Sequence, residues 1–197
     1  MKTSYILLDR DGVINVGRDD YIKSPQEWFP ITGSLEAIAQ LYQHGYKIIV
    51  ITNQSGIARG LFSEQTLHTI HKKIMAHGGQ IDAIYFCPHQ GSDQCECRKP
   101  KIGLLTQFAQ DYAVDLTGLF FIGDSLRDIQ AAQHAGAKPI LVKTGNGLKT
   151  LQEHADISTA VLTFSTLYAN PCHRLKKRTC QNSLVGMGAN RLKIDHH

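Results

Sequence analysis

Asp9 and Asp11 flank Arg10 just past the apolar run Tyr5–Leu8, and side chains two apart on an extended segment point the same way. Two carboxylates aimed into one site repel unless a cation relieves them. Asp124, after the apolar run Leu119–Ile122 and Gly123, adds a third carboxylate. The set has the oxygen donors that Mg²⁺ takes, with waters completing an octahedron. Magnesium among carboxylates invites phosphate. Lys99, the Thr52 hydroxyl and the backbone N–H groups of the turn 52–56 are suited to hold phosphoryl oxygens and to meet charge developing in a transition state. One aspartate then acts as nucleophile through an aspartyl-phosphate, while another protonates the leaving oxygen and later activates water. A single Asp at a strand end is ordinarily a turn former. The weight here comes from three of them recurring with Thr52 and Lys99. Asp128, four residues past Asp124, is expected either to orient Lys99 or the metal waters, or to be a solvated acid.

A second constellation is Cys87-Pro88-His89, five intervening residues, then Cys95-Glu96-Cys97. Three thiolates and an imidazole make a closed tetrahedral set, the pattern of structural zinc; a catalytic site would keep a position open for water. A loop of Gln, Gly, Ser and Asp has no core of its own, so zinc would pin the neighbouring Arg98 and Lys99 beside the phosphate. The other two cysteines, Cys172 and Cys180, stand alone near the end of the chain. His44, His68, His71 and His77 fall among polar residues of helix candidates and are expected on the solvated surface.

These groups need a scaffold. Short apolar runs recur at Tyr5–Leu8, Lys47–Thr52, Ile81–Phe86, Leu119–Ile122 and Pro139–Val142, separated by stretches of helical periodicity over 34–44 (capped by Ser34), 63–77 (capped by Ser63), 102–113 and 125–135. Continuous rather than alternating strands imply a sheet buried on both faces, hence parallel strands with crossover helices. The predicted fold class is α/β: a Rossmann-like parallel sheet with helices on both faces, no large cap domain, and a metal-binding loop. In such sheets functional groups gather outside the carboxyl ends of the strands. Asp9-Arg10-Asp11-Gly12, Thr52-Asn53-Gln54-Ser55-Gly56, the cysteine cluster with Arg98-Lys99, and Gly123-Asp124-Ser125 should therefore converge. The turn Gly145-Asn146-Gly147 resembles a loop of a known enzyme family, and a plain turn explains it equally well.

The chain has 197 residues, 21 Lys+Arg against 17 Asp+Glu and 42% hydrophobic residues, within the globular range. Residues 171–197 carry six basic side chains and one acid, so the net +4 divides into +5 there and −1 elsewhere. That distribution argues against nucleic acid as a partner, whose recognition spreads basic surface over a folded domain. We expect a catalytic domain over 1–170 and a basic, flexible tail over 171–197. The apolar run near the start is too short for a signal core or a membrane span, so the expected location is cytoplasmic, with no membrane partner and a monomeric state.

The string Ile6-Leu7-Leu8-Asp9-Arg10-Asp11-Gly12-Val13-Ile14, then Ile51-Thr52-Asn53-Gln54-Ser55-Gly56, Arg98-Lys99-Pro100 and Phe121-Ile122-Gly123-Asp124-Ser125-Leu126-Arg127-Asp128, resembles the motifs of the haloacid-dehalogenase (HAD) superfamily of phosphatases, in order, over about residues 4–165. The resemblance implies Asp9 as nucleophile, Asp11 as general acid/base, Thr52 and Lys99 as phosphoryl stabilisers and Arg98 in substrate recognition. It implies Mg²⁺ on Asp9, Asp124 and the backbone carbonyl of Asp11, and Zn²⁺ on Cys87, His89, Cys95 and Cys97. Substrate contacts would come from Asn53, Gln54, Ser55, Arg59 and Tyr21, the last in a loosely matching segment Gly17–Tyr21. Val13 stands where family members often carry Thr, a packing position. The zinc loop and the run Thr52–Gly60 are similar to the branch that removes the C7 phosphate of heptose 1,7-bisphosphate on the way to nucleotide-activated heptose for cell-surface polysaccharide. Histidinol phosphate is the alternative small-molecule substrate. A non-catalytic regulatory or nucleic-acid-binding protein using the basic tail is the alternative of another class, disfavoured because every motif position holds a competent residue.

Overall fold

The computed structural model describes residues 3–168; the stretch 171–197, and with it Cys172 and Cys180, lies outside the described residues. Six strands, β1 (Ser4–Leu8), β2 (Tyr46–Asn53), β3 (Ala83–Cys87), β4 (Phe120–Gly123), β5 (Lys138–Val142) and β6 (Leu162–Phe164), form one sheet in the order β3-β2-β1-β4-β5-β6. Every pairing is parallel. The connecting helices are α1 (Ser34–Gln43), α2 (Glu64–Ala76), α3 (Gly103–Asp111), α4 (Leu126–His134), α5 (Gly147–Glu153) and α6 (Ile157–Ala160).

Central strand β1 shows why the sequence folds this way. Its register sets Ile6 beside Ile48 of β2 and Phe120 of β4. Ile6 and Leu8 enter one core with Trp28, Ile38 and Leu41 of α1, and Ile70 of α2. Tyr5 and Leu7 enter a second core on the opposite face, with Leu104 and Phe108 of α3 and Ala131 of α4. A strand with helices on both sides has no polar face to offer, so an uninterrupted apolar run was required.

The recognised elements sit within two residues of expectation. Strand β6 and helices α5 and α6 escaped sequence reading, since a three-residue strand and helices of seven and four residues are too short to show periodicity. Ser63 caps α2, its hydroxyl accepting from Thr66 N–H at 3.1 Å. Ser34 does not cap α1: Gly33 occupies that position with φ 82°, and the Ser34 hydroxyl instead donates to the carbonyl of Ile14 at 2.6 Å. That bond fastens α1 to the loop 9–33, which Lys73 of α2 grips from the other side by donating to the carbonyls of Pro25 (2.7 Å) and Trp28 (3.1 Å). Strand order reverses between β1 and β4, and the carboxyl ends of these two neighbours carry Asp9 and Asp124. This is the switch point where open α/β sheets bind ligands.

Candidate active site

Three buried carboxylates, Asp9, Asp124 and Asp128, bring oxygens within 4.8 Å of one another. Lys99 stands among them, its ammonium 2.9 Å from Asp9 Oδ1 and 2.7 Å from Asp128 Oδ1, and it also donates to the Ile51 carbonyl at 2.8 Å. Asp128 is therefore no solvated acid. Its other oxygen accepts from Ser125 N–H (3.0 Å) and Ser125 hydroxyl (2.6 Å), so both oxygens are engaged and its role is to hold Lys99. Three carboxylates against one ammonium leave the cluster short of positive charge. Burial, with Asp128 and Asp124 alongside, pushes Asp9 up to about 8 despite Lys99, and burial with Asp128 pushes Asp124 up to about 6. A divalent cation fits this deficit.

Asp124 is clamped from a direction the sequence did not reveal. Its Oδ2 accepts from Asn146 N–H at 2.7 Å and from the Asn146 side-chain amide at 3.2 Å, and its carbonyl accepts from the Thr150 hydroxyl at 3.0 Å. The plain turn after β5 is thus part of the site. Gly12 and Gly145 let it close: both have positive φ (80° and 57°), and a Cβ on either would lie within about 2 Å of Asp124 Oδ2. Only glycine satisfies both demands. In the sequence the turn Gly145-Asn146-Gly147 was open between a family loop and a plain turn.

Asp11 departs from expectation. Strand β1 stops at Leu8, the chain bends at Arg10 and turns through Gly12, so the alternation that would have aimed Asp11 with Asp9 no longer applies. Its carboxylate is absent from the cluster above and lies in a cradle of donors: Arg10 Nε (3.0 Å) and Nη2 (2.9 Å), the Asn15 amide (2.9 Å) and the Gln54 amide (2.9 Å). The Arg10 guanidinium and these amides hold it below the ordinary carboxylate range against the opposing effect of burial. Arg10 is itself 1% exposed, with Nη2 also donating to Gln54 Oε1 at 3.0 Å and Nη1 lying 3.5 Å from His71 Nε2. The expectation of a solvated His71 is thereby corrected. It is buried on the inner face of α2 against Arg10 and Phe86, whereas His44, His68 and His77 are exposed.

The remaining candidates divide. Thr52, Asn53, Ser55, Arg98, Lys99 and Tyr21 all line a cleft of about 250 Å³ over Asp9; an adjoining lobe of about 220 Å³ reaches Gln54. Asn53 uses its amide structurally, accepting from Lys99 N–H (3.1 Å) and donating to Lys99 carbonyl (3.2 Å). Gln54 is engaged by Arg10, Asp11 and Thr52. Arg59 is exposed and lines neither lobe. Arg18 and Asp19, from the segment Gly17–Tyr21 that the resemblance assigns to the sugar, line the 250 Å³ cleft, as does Arg127, which sequence reading did not select.

Beside the cleft, Cys87, His89, Cys95 and Cys97 place their ligand atoms within 4.8 Å of one another. The sulfurs are 3.1 to 3.6 Å apart, and His89 Nδ1 is 3.2 Å from Cys97 Sγ. A tetrahedron with zinc–sulfur bonds of 2.3 Å has edges of about 3.8 Å, so the unbridged set is compatible with a zinc-binding loop. The loop is wired to the cleft. The Cys87 carbonyl accepts from Gln54 N–H (2.7 Å), the Pro88 carbonyl from Ala58 N–H (3.2 Å), and the His89 carbonyl from Arg98 Nη1 (3.1 Å).

A parallel sheet with an aspartate at the end of each of two neighbouring central strands, a buried lysine between carboxylates and a strand-end threonine define a phosphatase-type hydrolase of the HAD-like class. A HAD-hydrolase-like family profile matches residues 96–167. The chain is 52% identical over 152 residues to the D-glycero-beta-D-manno-heptose-1,7-bisphosphate 7-phosphatase of Bordetella bronchiseptica, covering 75% of this chain and 85% of that protein. It is 49% identical over 155 residues to the enzyme of the same name from Pseudomonas aeruginosa, covering 77% and 87%. A crystal structure of the D,D-heptose 1,7-bisphosphate phosphatase of B. bronchiseptica with magnesium and phosphate superposes with a TM-score of 0.82 at 44% identity, over 90% of this chain and 99% of that one. The chain belongs to the heptose-1,7-bisphosphate 7-phosphatase family of HAD-like hydrolases, and is a phosphoric monoester hydrolase. Among the described residues no helix is long and apolar enough to cross a membrane.

Proposed function

We propose that this enzyme removes the C7 phosphate of D-glycero-β-D-manno-heptose 1,7-bisphosphate, with Mg²⁺ in the carboxylate cluster and Zn²⁺ in the Cys₃His loop. The observation that carries the reading is the identity of about half with phosphatases of that name over 85% or more of their length, joined to an intact set of reacting groups. Asp9 Oδ1 accepts from Arg10 N–H at 2.7 Å and lies 2.9 Å from Lys99. Oδ2 is left to attack phosphorus, forming the aspartyl-phosphate as the bond to the sugar oxygen breaks. Asp11 delivers the proton to that oxygen and then takes one from the water that hydrolyses the intermediate. To carry a proton its carboxyl must be released from the Arg10 cradle that holds it ionised. Lys99 contributes its charge and Thr52 its hydroxyl toward the phosphoryl oxygens. Asp9, Asp124 and the backbone carbonyl of Asp11 would hold magnesium, which when bound neutralises phosphoryl charge. Zinc would hold Cys87, His89, Cys95 and Cys97 and so fix Arg98.

The same reading takes residues 1–170 as a cytoplasmic catalytic unit that acts as a monomer on a small sugar phosphate, with 171–197 outside the reaction. The test is phosphate release from a panel of heptose 1,7-bisphosphate, histidinol phosphate, other sugar phosphates and nucleotides, with ³¹P NMR to show which phosphate leaves. Highest kcat/KM on the heptose substrate with loss at C7 is expected; a preference for histidinol phosphate moves the assignment to that enzyme class.

A further inference from the structure

Arg127 is an anomaly in its own helix. It occupies the first turn of α4, two residues after the cap Ser125, where a cation meets the positive end of the helix dipole and is disfavoured. The acid that such a turn favours is already present as Asp128, bonded back to Ser125. Among the described residues the Arg127 side chain makes no hydrogen bond or ion pair, and it is exposed while lining the cleft over Asp9. A local rule broken without local compensation points to a functional demand.

The other cations of the cleft show what that demand is. Lys99 spends its three protons on Asp9, Asp128 and the Ile51 carbonyl. Arg18 is neutralised by a two-bond pair with Asp20 (2.9 and 3.0 Å), and Asp19 beside it adds negative charge to that wall. Arg98 uses one N–H on the His89 carbonyl and has no acid partner. The cleft thus has a wall of opposed charges at Arg18–Tyr21 and a wall of unspent guanidinium at Arg98 and Arg127. A phosphoryl group over Asp9 meets the charge of Lys99, so two guanidiniums with unspent N–H groups remain for a second dianion.

We propose that Arg127 joins Arg98 in gripping the distal phosphate of a bisphosphorylated sugar. This rests on the phosphatase reading above and adds a specificity-determining residue to it. Paired guanidiniums match phosphate geometry, each offering two parallel N–H groups.

The test compares the magnesium-loaded wild-type enzyme with Arg127→Ala, Arg127→Lys and Arg18→Ala on heptose 1,7-bisphosphate and on heptose 7-phosphate, which lacks the distal group. For Arg127→Ala, the ratio of kcat/KM between the two substrates is expected to fall at least about tenfold, mainly through KM for the bisphosphate, with Arg127→Lys recovering part of it. Arg18→Ala should change the ratio less than threefold. A ratio within twofold of wild type in Arg127→Ala, or equal losses on both substrates, overturns the assignment. Should the wild type prefer a substrate outside the heptose phosphates, the heptose assignment falls separately. The same ratio on fructose 1,6-bisphosphate against fructose 6-phosphate then decides Arg127.

Discussion

Arg10 and Asp11, adjacent in the chain, form a two-bond ion pair in which Nε and Nη2 lie 3.0 and 2.9 Å from the two carboxylate oxygens, with Arg10 almost wholly buried. Neighbouring residues seldom face each other; here the bend after β1 folds the long arginine back on the acid it precedes. The pair fixes the position of the carboxylate proposed to transfer the proton. Arg10→Lys keeps a charge but loses the planar fork, and misplacement of a catalytic group by about 1 Å can cost roughly 100-fold. We expect kcat to drop roughly 10- to 100-fold with a smaller change in KM. Arg10→Ala, which removes a buried guanidinium and leaves the half-buried Asp11 carboxylate to the Asn15 and Gln54 amides, should also destabilise the fold by about 1–3 kcal/mol, measured by urea denaturation.

The nucleophile assignment is tested by Asp9→Asn. An amide cannot form the acyl-phosphate, so turnover should vanish while far-UV CD stays as in wild type. Asp11→Asn should lower kcat by roughly 10²- to 10⁴-fold. Near wild-type turnover in Asp9→Asn, with deamidation excluded by mass spectrometry, sinks the mechanism.

Metal analysis separates the two sites. Protein prepared without zinc supplementation or a metal-affinity column should retain one zinc per chain through dialysis, whereas magnesium should be needed in the assay. Cys95→Ser should remove the zinc and, by releasing the His89 carbonyl that anchors Arg98, raise KM for the bisphosphate. Absence of zinc together with unaltered stability and activity in Cys95→Ser would count against the site.

His71 gives stability a pH dependence. Burial, then Arg10 and His68, lower its pKa from 6.5 to about 3, with Asp11 opposing. Between those values the unfolded chain binds a proton that the folded protein does not. This contribution is complete above about pH 6.5 and declines as pH falls toward 3. From pH 7 to pH 5 it amounts to about 2 kcal/mol. In His71→Gln, the difference in unfolding free energy between pH 7 and pH 5 should shrink by roughly that amount; an unchanged difference would mean that His71 protonates freely in the folded protein.

Substrate preference follows from the charge of the cleft. Heptose 1,7-bisphosphate should exceed histidinol phosphate in kcat/KM by at least about tenfold, since the amine of the latter meets the guanidinium wall of Arg98 and Arg127. Arg98→Ala should narrow the gap by roughly 1–3 kcal/mol, the range for charge-assisted hydrogen bonds. Side-by-side kinetics with no narrowing would remove Arg98 from recognition.

The sequence by itself determined the sheet and where its chemistry lies. Runs such as Tyr5–Leu8 and Leu119–Ile122 can be buried on both faces only between helices, and a polar residue ending such a run must emerge at the rim, which located Asp9, Thr52 and Asp124. The spacing of Cys87, His89, Cys95 and Cys97 was equally direct, because four ligands in eleven residues need only a short loop to meet. Tertiary structure alone decided how side chains share partners once the strands have ended. Asp128 rather than Asp11 joins the buried carboxylates, Asn53 ties down Lys99, Asn146 clamps Asp124, and Arg127 faces the cleft while Arg59 does not. Beyond a strand end the period-two rule no longer sets direction. The choice then falls to bends such as that at Arg10 and to hydrogen-bond partners tens of residues away, which spacing along the chain does not encode.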